Sequence, residues 1–149
     1  MQRNDTMSSR CFVVNEWLIH DLAGDNGEVA QEEGSIFLSR LKENCDQIAI
    51  LEGSKWMEKA YDLMKEGKLP IRILSKQLHL DILKNPQKCR ILGQNDIQVL
   101  PEAERNKIPD DDIYLVELYY SANADLFITS DERLGEALSP VSHIEIRFR

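Results

Sequence analysis

Short apolar runs alternate along the chain with longer segments whose apolar residues recur at helical spacing. Four of these runs predict strands: residues 11–14, 47–51, 125–129 and 143–147. The helical spacing predicts six helices: residues 16–23, 28–44, 55–65, 69–83, 111–122 and 131–138. Between residues 85 and 109 the pattern is weakest, and residues 97–100 could form one further strand before Pro101. Such alternation favours a mostly parallel sheet covered on both faces, so we expect an α/β fold, a single-domain three-layer αβα sandwich.

Length and composition suit one globular domain outside the membrane. The 149 residues are 42% hydrophobic and 30% charged. No apolar run reaches the ~18 residues needed to cross a bilayer. Residues 1–10 are polar and predict a flexible leader, which leaves residues 11–149 as the domain. The three cysteines and three histidines show no ligand spacing, which favours free thiols in the reducing cytoplasm over a disulfide or zinc site.

Charge is distributed unevenly along the chain. The formal net charge is −8, yet residues 54–90 contain nine basic and four acidic residues, a net charge of +5. A basic segment beside an acidic body can mark a face that contacts phosphate groups. It can equally be a solvated helical surface, and the sequence leaves both interpretations open.

Polar residues directly follow two of the predicted strands. Asn15 and Glu16 come after the strand at residues 11–14, and Asp131 comes soon after the strand that ends at Thr129. Ligands of parallel α/β sheets bind outside the carboxyl ends of the strands. We therefore expect these three side chains to lie at one edge of the sheet.

Asp112 stands at the head of an apolar helical face. Leu115, Val116 and Tyr119 follow it at spacings of three, four and seven residues, so its carboxylate should point towards the core or into a pocket. An unpaired buried carboxylate is costly, and a cation or several hydrogen bonds should accompany it. The alternative is that Asp112 merely caps this helix.

The segment between these acidic residues resembles a known family signature. Residues 112–131 read DIYLVELYYSANADLFITSD, which is similar to the C-terminal signature of the PIN-domain nucleases. In that signature an Asp opens a helix, Ala-Asp leads into an apolar strand, and Thr-x-Asp closes it. The N-terminal apolar strand followed by Asn15 also fits the family. The resemblance is firm over residues 110–138 and looser elsewhere, and it implies a PIN-like fold for the domain.

The resemblance implies a metal-dependent endoribonuclease that hydrolyses phosphodiester bonds of single-stranded RNA. Its acidic pocket would hold Mg²⁺ or Mn²⁺, since hard divalent cations prefer oxygen ligands. The implied metal ligands are Asn15, Glu58, Asp112 and Asp131. Among these ligands Glu58, Asp112 and Asp131 would be catalytic. Thr129 or Ser130 would orient one ligand by hydrogen bonding.

The second acidic ligand follows from the family's Glu in the helix after the second strand. Glu58 matches that position, and Glu52 is a substitute for it. Glu58 flanks a stripe that helical spacing predicts to be buried: Met57, Ala60, Tyr61 and Met64. The family pattern therefore places Glu58 at the rim of the pocket.

Asn15 departs from the family pattern, which usually has Asp at this position. An amide carbonyl can still bind a metal, but it brings no charge, so metal affinity should fall unless Glu16 turns inward. The general exposure of acidic residues predicts instead that Glu16 faces solvent.

Three functions stay open. The first is the nuclease, and the second is a catalytically weak or inactive PIN-like module that binds RNA or a protein partner. The third is a flavodoxin-like regulatory domain with an acidic pocket, although the chain has no Gly-rich phosphate loop. Many small PIN proteins are toxins of toxin–antitoxin pairs, and family members often dimerise. The resemblance thus implies single-stranded RNA, an antitoxin-like protein and a second copy as partners, with no membrane.

Overall fold

A five-stranded sheet forms the centre of the chain. The computed structural model describes residues 10–138 and the backbone of residues 146–148. The strands are β1 (Cys11–Val14), β2 (Gln47–Leu51), β3 (Cys89–Leu92), β4 (Leu126–Thr129) and β5 (Ile146–Phe148). They lie in the order β3-β2-β1-β4-β5, and every neighbouring pair is parallel. The expected mostly parallel sheet is confirmed.

Helices connect the strands and cover both faces of the sheet. The α-helices are α1 (Trp17–Leu22), α2 (Glu28–Glu43), α3 (Lys55–Leu63), α4 (Leu69–Lys76), α5 (Glu102–Arg105), α6 (Ile113–Ser121) and α7 (Glu132–Leu138). A π-helical segment (Gln77–Leu83) continues α4, and 3₁₀ turns occupy Gln94–Asp96 and Asp110–Asp112. In the part of the chain that the structure describes, no helix is long and apolar enough to span a bilayer.

Strand β1 separates two hydrophobic cores. All four of its residues are buried, and successive side chains of a strand point to opposite faces. Phe12 and Val14 pack in a core built with α1, α2, α3 and α4, whereas Cys11 and Val13 pack in a core built with α6 and α7. The α/β class is therefore confirmed, and the arrangement is compatible with a three-layer sandwich.

The strand order reverses direction at the middle of the sheet. From β1 the chain builds β2 and β3 on one side, and then crosses to the other side to build β4 and β5. The residues Val14 and Ile128 are paired, so the carboxyl ends of β1 and β4 lie side by side. In open α/β sheets, ligands bind in the crevice at such a switch point. A ligand-binding site is therefore expected at this edge of the sheet.

Residues 97–100 do not form the further strand that the sequence could allow. The sequence pattern also did not predict β3. Side chains of α6 bind the backbone of this segment instead. Ser121 Oγ accepts from the Gln98 N–H at 2.9 Å, and Glu117 Oε2 accepts from the Leu100 N–H at 2.9 Å. Strand β3 has exposed residues at its two central positions, as an edge strand can, and its apolar pattern is correspondingly weak.

Helix α3 is rotated relative to the predicted stripe. Trp56, Met57, Ala60 and Leu63 are buried, whereas Tyr61 and Met64 are 53% and 50% exposed. Trp56 is only 1% exposed, so burial of its large side chain sets which face of α3 meets the core. The expectation that Tyr61 and Met64 are buried is wrong.

The elements predicted at the two chain ends lie only partly within the described residues. Strand β5 (Ile146–Phe148) confirms an edge strand near the C-terminus, while residues 143–145 of the predicted strand lie outside the described residues. Of the predicted leader, residues 1–9 also lie outside the described residues.

Replacing Phe127 by Ala should destabilise the fold strongly, because Phe127 is fully buried on an inner strand. We expect a loss of about 3–5 kcal/mol in the free energy of unfolding, measured by urea denaturation. The control Ile91→Ala, on edge strand β3 with a 52% exposed side chain, should cost less than about 1 kcal/mol. Equal losses in the two variants would contradict this strand order.

Candidate functional site

An open cleft of about 410 Å³ lies at the edge of the sheet where β1 and β4 end. It is lined by the residues that follow these strands, by the α1 region and by the 3₁₀ turn before α6. The predicted site residues that line it are Asn15, Glu16, Asp112, Ser130 and Asp131. The convergence expected from the strand ends is therefore present in the structure.

Thr129 connects the two sides of the cleft. Its side chain is fully buried, and its Oγ1 accepts from Asn15 Nδ2 at 2.8 Å and from the Asp131 N–H at 2.9 Å. A single hydroxyl therefore fixes the residue that follows β1 and the loop that follows β4. This is the geometry that the predicted orienting role of Thr129 requires.

Asn15 presents an unsatisfied carbonyl oxygen at the cleft. The residue is 8% exposed, and its Oδ1 is buried with no hydrogen-bond partner among the described residues. Its backbone is well held, because Asn15 N–H donates to Ile128 O at 3.4 Å and Trp56 Nε1 donates to Asn15 O at 3.3 Å. A buried acceptor without a partner costs about 1–3 kcal/mol. A bound cation or water would remove this cost.

Asp112 faces the cleft instead of capping α6. It occupies the N-cap position, but its side chain makes no capping hydrogen bond, so the capping alternative is wrong. Burial, together with the negative charges of Asp131 and Glu16, raises the pKa of Asp112 to about 6. Lys55 acts in the opposite direction.

Asp131 has one oxygen in use by the backbone. Its Oδ1 accepts from the N–H groups of Arg133 and Leu134 at 3.0 and 3.2 Å, which caps the start of α7. Its Oδ2 takes part in neither bond. Asp131 can therefore keep its position through Oδ1 while Oδ2 contacts a ligand.

Among the described residues, five carboxylates line the cleft, and three of them have a basic partner. These contacts are Glu16–Lys59, Asp25–His20 at 3.0 Å and Asp111–Lys55 at 3.2 Å. Asp112 and Asp131 have no cationic side chain within ion-pair distance in residues 10–138. The negative charge that lacks a counter-ion is thus concentrated beside the Asn15 carbonyl.

Glu16 turns into the cleft, and the expectation that it faces solvent is wrong. Its side chain is only 20% exposed. Lys59 donates to Glu16 Oε1, and Tyr114 OH donates to Oε2 at 3.1 Å. Lys59 Nζ also lies 3.2 Å from His20 Nε2. Glu16 is therefore paired with Lys59 and adds no free negative charge to the cleft.

Sequence reasoning missed Lys59, Tyr114 and His20. Trp56 gave a sequence signal for Lys59. The large apolar side chain of Trp56 defines the buried face of α3, and Lys59 lies three residues further along the same side of the helix. No comparable sequence signal indicated His20.

Neither Glu58 nor Glu52 lines the cleft. Both side chains are exposed, Glu58 on α3 and Glu52 directly after β2. The structure therefore does not bring the predicted second acidic ligand together with Asn15, Asp112 and Asp131.

The donor set at the cleft consists of the Asn15 carbonyl and the carboxylates of Asp112 and Asp131. Across the described part of the chain, no three His, Cys, Asp or Glu side chains are grouped closely enough to hold a metal ion by themselves. Mg²⁺ usually binds through one or two carboxylates and keeps several waters. Two carboxylates, an unsatisfied amide oxygen and an open cleft fit that kind of ion.

Comparison with known proteins leaves the family open. No protein-family profile, no curated protein sequence and no solved structure matches this chain. The PIN resemblance therefore depends on the residues between Asp112 and Asp131 and on the strand-end residue Asn15.

Replacing Thr129 by Val should cost about 2 kcal/mol in the free energy of unfolding, because the buried Asn15 side-chain amide and the partly buried Asp131 N–H lose their acceptor. Thr129→Ser keeps the hydroxyl and should cost about 1 kcal/mol for the lost methyl group. Urea denaturation of both variants makes the comparison. If Val is tolerated as well as Ser, the hydroxyl does not hold the strand ends.

Replacing Asp112 by Asn should stabilise the metal-free chain near neutral pH. The pKa of about 6 lies above the ordinary 3.8, so the folded state binds the proton more tightly than the unfolded state. The free energy of unfolding therefore falls as the pH rises from about 4 to about 6. In EDTA, the variant should melt higher than wild type at about pH 7 and close to it at about pH 4.

The matched control is Asp110→Asn, which removes the same charge from an exposed position outside the cleft. It should follow wild type at both pH values. An Asp112→Asn variant that melts below wild type at about pH 7 would show that the carboxylate stabilises the empty cleft.

Proposed function

We propose that this chain is a Mg²⁺- or Mn²⁺-dependent endoribonuclease of PIN type. The observation that carries the proposal is the position of Asp112 and Asp131, both without a cationic partner in the described residues, beside the unsatisfied Asn15 carbonyl. This arrangement lies at the switch point of a parallel sheet. The choice of single-stranded RNA, and an antitoxin-like protein or second copy as partner, follows from the sequence resemblance.

The cleft residues have distinct parts in the proposed reaction. Asn15 Oδ1 and the carboxylates of Asp112 and Asp131 would hold the ion, and the Thr129 hydroxyl binds both Asn15 Nδ2 and the Asp131 N–H. The ion, when bound, supplies a water of lowered pKa and neutralises charge on the phosphate. Lys59 is paired with Glu16, which keeps the Glu16 charge from adding to that of the cleft.

A second function is favoured by one specific observation. Asn15 carries no charge, and the one acidic residue that could compensate, Glu16, is already neutralised by Lys59. Such a cleft binds a divalent cation more weakly than one with three free carboxylates. A catalytically weak PIN-like module that binds RNA is therefore the alternative.

Mn²⁺ titration by calorimetry, with an RNA cleavage assay in parallel, tests the first function. Wild type and Asp110→Asn should bind Mn²⁺ alike and cleave single-stranded RNA only with metal present. Asp112→Asn should lose binding by about tenfold or more and lose cleavage. Metal binding that is unchanged in Asp112→Asn, or cleavage that persists in EDTA, would contradict the proposal.

Asn15→Asp separates the two functions. The added charge should tighten Mn²⁺ binding by about tenfold, since a carboxylate replaces a neutral amide beside the ion. If wild type already cleaves RNA, the variant should cleave at comparable or higher rate. Cleavage that arises only in the variant would assign the native chain to the weak binding module.

A further inference from the structure

A second cavity is lined by basic and apolar side chains. It has a volume of about 260 Å³ and is formed by α4, the π-helical segment Gln77–Leu83 and the C-terminal end of α3. We call it the Ser75 pocket, and it is lined by Met64, Arg72, Ser75, Lys76, His79, Leu80 and Lys84. It shares no residue with the acidic cleft.

Three cations surround this pocket without a counter-ion. Arg72, Lys76 and Lys84 line it, and no acidic residue of the described part of the chain does. None of the three forms an ion pair with an acidic side chain in the described ranges. Arg72 and Lys76 are also four residues apart on α4, a spacing at which like charges repel each other. An anion in the pocket would relieve this repulsion.

Ser75 gives a second and independent indication. The residue is only 2% exposed, and its buried hydroxyl has no hydrogen-bond partner within the described residues. Helical Ser hydroxyls that point inward commonly bond to the carbonyl four residues earlier, and this one does not. A hydroxyl can donate to an anion, so a ligand at the pocket would satisfy it.

The pocket is held in shape by contacts beneath it. His79 is 3% exposed, and its Nε2 donates to Ala60 O at 2.7 Å, which fixes the π-helical segment to α3. Met64 and Leu80 form an apolar wall of the pocket. They are 50% and 60% exposed, so this wall is accessible to a ligand. Charged and apolar walls therefore face the same space.

We propose that the Ser75 pocket binds the phosphate group of a nucleotide, with the nucleoside against Met64 and Leu80. Three cations and a hydroxyl match the several oxygens of a phosphate, and charge-assisted hydrogen bonds to such oxygens are strong. The volume is near the low end of small-molecule sites, which begins at roughly 300 Å³. The phosphate belongs either to a free nucleotide or to an RNA strand, and the site does not require the metal chemistry of the cleft.

NMR titration of the full chain in EDTA tests this proposal with three probes: inorganic phosphate, AMP and a short uridine oligonucleotide. Amide signals of residues 72–84 should shift with each probe. The double variant Arg72→Gln/Lys76→Gln should bind all three about tenfold more weakly or worse. Lys65→Gln, which removes a charge whose side chain is 79% exposed outside the pocket, should bind within about twofold of wild type.

Ser75→Ala keeps the proposal falsifiable if the double variant folds poorly. Ala favours helix and removes a buried unsatisfied hydroxyl, so this variant should melt at or above wild type. Its affinity for phosphate should nevertheless fall about three- to tenfold. Absence of shifts at millimolar phosphate, unchanged affinity in Ser75→Ala, or equal weakening by Lys65→Gln would each overturn the proposal.

The probes also separate the two sources of phosphate. Equal affinities for AMP and the oligonucleotide would assign the pocket to a free nucleotide. An oligonucleotide that binds about tenfold more tightly than AMP, with the same dependence on Ser75, would assign it to an RNA strand. The titration is followed at residues 72–84 and in EDTA, where the proposed nuclease has no metal, so failure of the proposed nuclease and failure of this pocket give different results.

Discussion

The buried hydrogen bond from Asn15 Nδ2 to Thr129 Oγ1 joins the ends of the two inner strands around which the sheet reverses its order. The same hydroxyl accepts from the Asp131 N–H, so the loop after β4 is held against the residue after β1. The bond fixes the side-chain amide of Asn15, whose carbonyl oxygen is buried and has no hydrogen-bond partner among the described residues. The packing of the central strands therefore produces the most distinctive feature of the cleft.

Electrostatics then decides what the cleft can bind. Paired carboxylates contribute little net field, and Lys59 and Lys55 pair with Glu16 and Asp111. Asp112 and Asp131 have no cationic partner within residues 10–138. The Ser75 pocket shows the reverse arrangement, with cations that lack acidic partners in the described residues. The net charge of −8 hides this contrast. In the proposed function, one surface holds a cation and the other holds a phosphate.

The sequence was informative where one local rule determines the position of a residue. Asn15 and Asp131 directly follow parallel strands, so topology alone brings them to one edge. Glu58 failed to reach the cleft because the rotation of α3 depends on the burial of Trp56. Glu16 was assigned to solvent because its partner Lys59 is 43 residues away in sequence, and no local pattern reveals such a pair. Strand β3 was missed because it lies at the sheet edge, where burial no longer enforces an apolar pattern.

Paramagnetic broadening by Mn²⁺ in an amide NMR spectrum tests the central claim most directly, because it locates the ion residue by residue. Low Mn²⁺ concentrations should first broaden the signals of Asn15, Asp112 and Asp131, together with the Asn15 side-chain amide. Signals of residues 72–84 around the Ser75 pocket should stay sharp at the same concentration. Broadening centred elsewhere, or spread evenly over all exposed carboxylates, would contradict a metal site at the switch point between β1 and β4.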